Sequence, residues 1–156
     1  MLKVAFGQFL GGRPALGLLI FRLVTGLALV FHGLPKAMHP FTWMPHSTLP
    51  GFIQMLSPLA ELGGGLALII GLLTPLACLA IICNMLVAIF TVHLPHGGIW
   101  VGKGNTYESA LGYLVAAVMI FLTGPGIYSL DAKLFGNRLA DALARQKQER
   151  RPHAWV

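Results

Sequence analysis

The sequence predicts an all-α membrane protein, a four-transmembrane-helix bundle followed by an amphipathic C-terminal helix. Three observations carry this reading. Hydrophobic residues make up 56% of the 156-residue chain and charged residues only 10%. Soluble domains carry about a quarter charged residues, so this chain has too little polar surface to cover a water-facing globule. The apolar residues are gathered into four runs close to the roughly 20 residues that cross about 30 Å of hydrocarbon. Finally, the net charge of +6 is concentrated beyond the first and last runs, the placement that sets membrane orientation. The lipid bilayer is therefore the expected partner, and nucleic acid is not.

The four spans are residues 15–34, 52–73, 75–93 and 107–124. Pro75 suits the first turn of the third span, after a link of only a few residues. Segment 1–14 reads as an N-terminal interfacial piece. Residues 15–128 form the bundle and 129–156 a basic tail. No cleavable signal peptide is expected, because the apolar piece before Gly11 is short and lacks a clear small-residue cleavage site. In the tail, Leu130, Leu134, Phe135, Leu139, Ala142 and Leu143 share one helical face, as in a helix lying on a membrane surface.

Lys and Arg fix the orientation. Lys3, Arg13, Lys133, Arg138, Arg145, Lys147, Arg150 and Arg151 lie on the side of the termini, against Lys36 and Lys103 in the opposite loops. This predicts a multi-pass protein of a bacterial inner (plasma) membrane with both termini cytoplasmic. Cys78 and Cys83, five apart, point about 140° away from one another on a helix and read as small apolar fillers.

Ionisable residues inside a membrane are costly and mark functional candidates with partners to find. Counting rise from the terminal side puts Arg22 at about 10 Å, Glu61 at roughly 16 Å and Asn84 at about 13 Å. The expectation is that Glu61 pairs with Arg22, with Asn84 close by, since a buried carboxylate stays ionised only beside a cation and hydrogen-bond donors. Such a pair could line a substrate or proton path or simply hold the helix register. Gly63, Ala67 and Gly71 form a small-residue stripe suited to close helix contact.

A second layer lies near the opposite face. His32, His93 and Glu108 all fall about 25–28 Å up, with Lys36 and His96 just beyond. Two imidazoles and a carboxylate at one level suit a quinone carbonyl, a proton relay or, less well, a metal; the spacing matches no metal motif, and no metal site is assigned. Local alternatives exist for each. The histidines complement helix C-termini, and Asn105 with Glu108 has the spacing of a capping box.

In order, "FHGLPK" (His32, Gly33, Lys36), "ELGGGLALIIGLLTP" (Glu61, Gly71, Thr74, Pro75), "NMLVAIFTVH" (Met85, Ala88, His93), "ESAL" (Glu108) and "GPGIYSLD" (Gly124, Pro125, Gly126, Ser129, Asp131) resemble the DoxX family of small membrane proteins. The resemblance covers about residues 20–131. It implies a four-helix membrane bundle and a link to quinone-dependent redox chemistry, since DoxX-like proteins are related to the DoxD subunit of thiosulfate:quinone oxidoreductase. No flavin or haem motif and no reactive cysteine pair is evident in the sequence, so quinone is the one cofactor the resemblance suggests.

The expected function is a quinone- or thiol-linked membrane oxidoreductase component. Arg22, Glu61, His32, His93 and Glu108 are the candidate catalytic residues, and His32, His93, Asn84 and Lys36 the candidate cofactor contacts. Alternatives are a non-catalytic anchor or assembly subunit for a soluble or membrane redox partner and, with less support, a small-molecule carrier, which would need the chain to form a homo-oligomer.

Overall fold

Long apolar runs with widely spaced helix breakers fold here as four helices. The computed structural model describes residues 9–44 and 49–136. α1 is Gly12–Met38, α2 Gly51–Ile70, α3 Thr74–His96 and α4 Glu108–Thr123. At 1.5 Å per residue they run to about 40, 30, 35 and 24 Å. The first three are long and apolar enough to cross a bilayer, and α4 is a shorter apolar helix. Among the described residues there is no strand, only an isolated bridge between Ile99 and Thr106.

α1 starts three residues before its expected first residue and continues through Pro35 to Met38. Pro35 lies so near the helix end that its missing N–H interrupts little of the backbone ladder. Of the expected surface helix after residue 129, the structure describes helix over 130–136. Ser129 Oγ caps it by accepting from Ala132 N at 3.1 Å. Leu139, Ala142, Leu143 and the remaining basic tail lie outside the described residues, as do residues 1–8 of the N-terminal segment.

The bundle is apolar outside as well as inside. Leu16, Ile20, Val24, Leu27 and Phe31 stay exposed along one side of α1, while Leu18, Leu29 and Gly33 are buried on the other. An exposed stripe of this kind is stable only against lipid. Leu29, Leu68, Cys78, Ile81, Ala117 and Ile120 fill the centre.

α1 and α2 pack almost backbone to backbone. A Cβ on Gly26 would lie 2.7 Å from the Gly65 carbonyl oxygen, and a Cβ on Gly65 would lie 2.7 Å from that of Gly26. The backbone contact runs through Gly26 and Gly65; of the expected Gly63–Ala67–Gly71 stripe, Gly71 meets the Arg22 side chain of α1 whereas Gly63 meets only Leu59. α2 contains a π turn over Leu59–Gly63, whose extra residue rotates the segment before it relative to the one beyond. α3 carries a second π turn over Ala88–His93 and ends in a 3₁₀ turn, Leu94–His96.

Candidate functional site: a cavity between α1, α2 and α3

The polar residues separate into two groups at different heights. The first is at the end of the bundle where α2 turns into α3. Arg22 is fully buried. Its Nε donates to Leu68 O (3.0 Å) and its terminal nitrogens to the carbonyls of Ile69, Tyr128 and Pro125. Leu68 and Ile69 close α2, where helical carbonyls lack intrahelical partners and attract a cation. Gly71 follows with φ +66°, and a Cβ there would sit 2.5 Å from the guanidinium. Leu73 adopts φ +48°, an uncommon conformation for a side chain that needs support from its surroundings. Asp131 supplies it: its two carboxylate oxygens accept from Leu73 N and Thr74 N, both at 2.8 Å. Every donor and acceptor in this cluster that the structure pairs is turned inward to the backbone, as in a structural tie.

Arg22 therefore does not meet Glu61. It serves carbonyls seven residues further along α2, about 10 Å away by helical rise. The cation on Glu61 is Lys36, whose Nζ donates to Oε1 at 2.6 Å and to Oε2 at 2.7 Å. Asn84 Nδ2 donates to Oε1 at 3.1 Å and Ser57 Oγ to the same oxygen at 3.4 Å. The expected proximity of Asn84 is present; the expected ion pair has a different cation.

Two local features build this cluster. A Cβ on Gly33 would lie 2.6 Å from Leu62 N and 3.0 Å from Glu61 Cβ, so only glycine lets α1 ride directly over the π turn. Lys36 is one turn beyond Gly33 and so lies over Glu61. The Glu61 side chain is only 5% exposed, against 24% for Lys36. The ammonium also stands 4.7 Å from the centre of the Trp43 ring, a cation–π contact.

Lys36, Glu61 and Asn84 line one part of a cavity of about 480 Å³, whose walls are otherwise mostly apolar: Ile53, Leu56, Leu59, Ala60, Ala80, Val87 and Ala88 among them. Both π turns contribute lining residues. Trp43 closes one side by donating from Nε1 to Gln54 O at 2.8 Å. That carbonyl is available because Pro58, four residues on, has no N–H to offer it. The Gln54 side chain accepts from Met44 N and donates to Leu49 O, each at 3.0 Å. Gln54 and Ser57 play no part in the sequence-based expectations, although their spacing to Pro58 and Glu61 is the one-turn interval that signals such contacts. Cys83, an unpaired thiol, is a further lining residue.

The expected trio of His32, His93 and Glu108 does not converge. His93 lines the cavity. His32 is exposed outside it, its Nδ1 3.0 Å from Ala28 O and its ring edge-on to Tyr113 at 5.3 Å. Glu108 is exposed at the start of α4. Equal height on different helices leaves the azimuth open: His93 lies on the cavity, whereas His32 lies against Tyr113 of α4. Asn105 does not cap α4, whose N-cap is Tyr107 without a side-chain bond. It caps the end of α3 instead, donating from Nδ2 to His93 O and His96 O at 3.2 Å. Among the described residues, no group of three His, Cys, Asp or Glu side chains is placed to hold a metal.

The DoxX family model matches residues 17–94, half of the chain. The chain belongs to the DoxX family. That match spans most of α1, all of α2 and nearly all of α3, and so includes Lys36, Glu61, Asn84 and His93. The DoxX protein is also 28% identical over 138 aligned positions to the uncharacterized membrane protein Rv3486 of Mycobacterium tuberculosis, covering 79% of this chain and 83% of the relative. No solved structure matches it.

Proposed function

We propose that this DoxX protein is a component of a quinone- or thiol-linked membrane oxidoreductase and that the α1–α2–α3 cavity is its quinone site. The observation carrying this reading is a mostly apolar cavity, within a membrane bundle, that ends on Lys36, Glu61 and Asn84. An isoprenoid quinone is an apolar body with two carbonyl acceptors, and ligand sites pair apolar walls with a few placed polar groups. Asn84 Nδ2 uses one of its two hydrogens on Glu61 and keeps the other for a carbonyl oxygen. The three Lys36 hydrogens face Glu61 Oε1, Glu61 Oε2 and, at a long 3.5 Å, Ser57 Oγ; a quinone carbonyl would take the place of the Ser57 contact.

A bound quinone supplies two-electron acceptor chemistry. Lys36 would orient one carbonyl and give a proton to its oxygen, and Glu61, ionised beside the ammonium, would take up a proton released by the reductant and pass it to Lys36. With thiols as reductant, two S–H bonds break, one S–S bond forms, and both quinone oxygens end protonated. The reductant is brought by a soluble or membrane partner on the side of a bacterial plasma membrane toward which Lys36 and His93 lie. Both termini face the opposite, cytoplasmic side, following the excess of Lys and Arg there.

The test is the quinone content of protein purified in mild detergent, measured by absorbance and mass spectrometry against an unrelated four-span protein. Near-stoichiometric quinone is expected in the natural protein and in His32→Ala, with loss in Asn84→Leu and Lys36→Met. Quinone no higher than the control would leave the anchor reading, in which the ion pair only holds α1 on α2.

A further inference from the structure

His93 is the second titratable cluster on the cavity wall, and its hydrogen bonds determine what it can do there. Its Nδ1 lies 2.8 Å from Asn105 Oδ1. The amide cannot be reversed, because Nδ2 must face the carbonyls of His93 and His96, each 3.2 Å away; exchanging its atoms would set oxygen against two oxygens. Oδ1 is then an acceptor only, so the proton of a neutral His93 ring resides on Nδ1. Asn105 is not a cavity-lining residue, whereas His93 is. The Nδ1 edge is thus tied to Asn105, and Nε2 is the other ring nitrogen, with a lone pair and no hydrogen.

We infer that Asn105 is a positioning residue that sets His93 as a hydrogen-bond acceptor in the cavity wall, so that the ligand group lodged beside His93 is a hydroxyl donor. The inference rests on the quinone reading only for its ligand class: for a quinone–quinol pair it is the quinol that this end of the cavity recognises. The contact is a hydrogen bond: Nε2 would accept from a hydroxyl of the quinol, whose O–H bond stays intact, while Nδ1–H stays on Asn105. Lys36 and Asn84, donors suited to a carbonyl, lie elsewhere on the same cavity. Asn84 is nine residues before His93 on α3, about 13 Å by rise. The cavity is therefore polar in two senses, with donors at one place and an acceptor at another.

The decisive experiment has two arms on the full chain in detergent micelles. In the first, ¹⁵N-histidine spectra near pH 8, assigned with His93→Gln, report which ring nitrogen carries the proton. Nδ1 is expected in the natural protein and in Asn105→Asp, which keeps an acceptor oxygen while losing the amide donors. In Asn105→Leu the proton is expected on Nε2, the form an unrestrained imidazole favours. Asn105→Asp lowers thermal stability without changing the tautomer, so the tautomer separates positioning from capping. In the second arm, decylubiquinol and decylubiquinone are titrated against each protein. The natural protein should bind the quinol about tenfold more tightly, the worth of one good hydrogen bond, and Asn105→Leu should bind the two alike.

A proton on Nε2 in the natural protein, or an unchanged quinol preference in Asn105→Leu, would overturn the inference while leaving the quinone reading intact. Binding of neither probe would overturn the ligand class together with that reading, and the tautomer would still decide the role of Asn105.

Discussion

Arg22 and Lys36 show how two buried cations in one bundle serve different ends. Arg22 spreads its donors over four backbone carbonyls from α2 and from the segment after α4. Its removal in Arg22→Met leaves those carbonyls without donors in a region closed to water, at a cost of about 1–3 kcal/mol for each unsatisfied group. A loss of about 3 kcal/mol or more is expected in denaturant unfolding in detergent, and Arg22→Lys should not recover it, because one ammonium cannot cover the fork. Lys36 is different, since its partner is a carboxylate at the cavity. Glu61→Gln should destabilise by about 2–3 kcal/mol, below the range for a fully buried pair, as Lys36 keeps some solvent contact. The double variant Lys36→Met/Glu61→Leu should regain most of that stability and still bind no quinone. Recovery of both would reduce the pair to a structural contact. The sequence exposes Arg22 and Glu61 as misplaced in apolar runs and puts Lys36 just beyond the first span, but it does not reveal their pairing. Rise along a helix gives heights; it does not reveal that the carbonyls closing α2 already claim Arg22, or that Pro35 leaves α1 intact as far as Lys36.

At the scale of elements, glycine and the π turns shape the cavity. Gly33 is the one position where α1 rests on the backbone of the Leu59–Gly63 turn. Gly33→Ala must move α1 by several tenths of an ångström and carries Lys36 with it. A destabilisation of about 1–3 kcal/mol, typical of overpacking, should accompany weakened quinone retention, while Gly17→Ala, where a Cβ meets open space, should change neither. The π turn has its own consequence. Deleting Leu62 would restore α-helical register and rotate the segment Gly51–Pro58 by about 100° relative to the rest of α2. Ser57 and Gln54 would leave the cavity, and Trp43 would lose the Gln54 carbonyl. The expected result is a helical protein, by circular dichroism, that has lost its ligand. Four apolar runs made the existence and order of the helices legible, with boundaries off by a few residues. The π turns were not legible, because an apolar run has the same composition whether five or four residues separate a donor from its acceptor.

For the whole molecule, the arrangement has a direction. The tie around Arg22, Gly71 and Asp131 closes the end of the bundle that carries the termini. The Lys36–Glu61–Asn84 group and His93 occupy the part toward the loop following α1 and the loop joining α3 to α4. With both termini cytoplasmic, as proposed, the tie would lie nearer the cytoplasm and the Lys36 and His93 part of the cavity nearer the outer leaflet. This predicts how the protein labels in intact cells. In a Cys83→Ala background, where the only remaining thiol, Cys78, is fully buried, Lys103→Cys should react with a membrane-impermeant maleimide added outside. His153→Cys should react only after the membrane is permeabilised. Eight basic residues against two make the bias strong, and neither loop is long enough to escape the rule. The reverse labelling pattern would turn the bundle over, bringing that part of the cavity to the cytoplasmic leaflet and moving the reductant to the other side of the membrane. Because the ligand-binding groups keep their places within the bundle either way, orientation decides which compartment supplies the electrons and leaves the chemistry of the cavity unchanged.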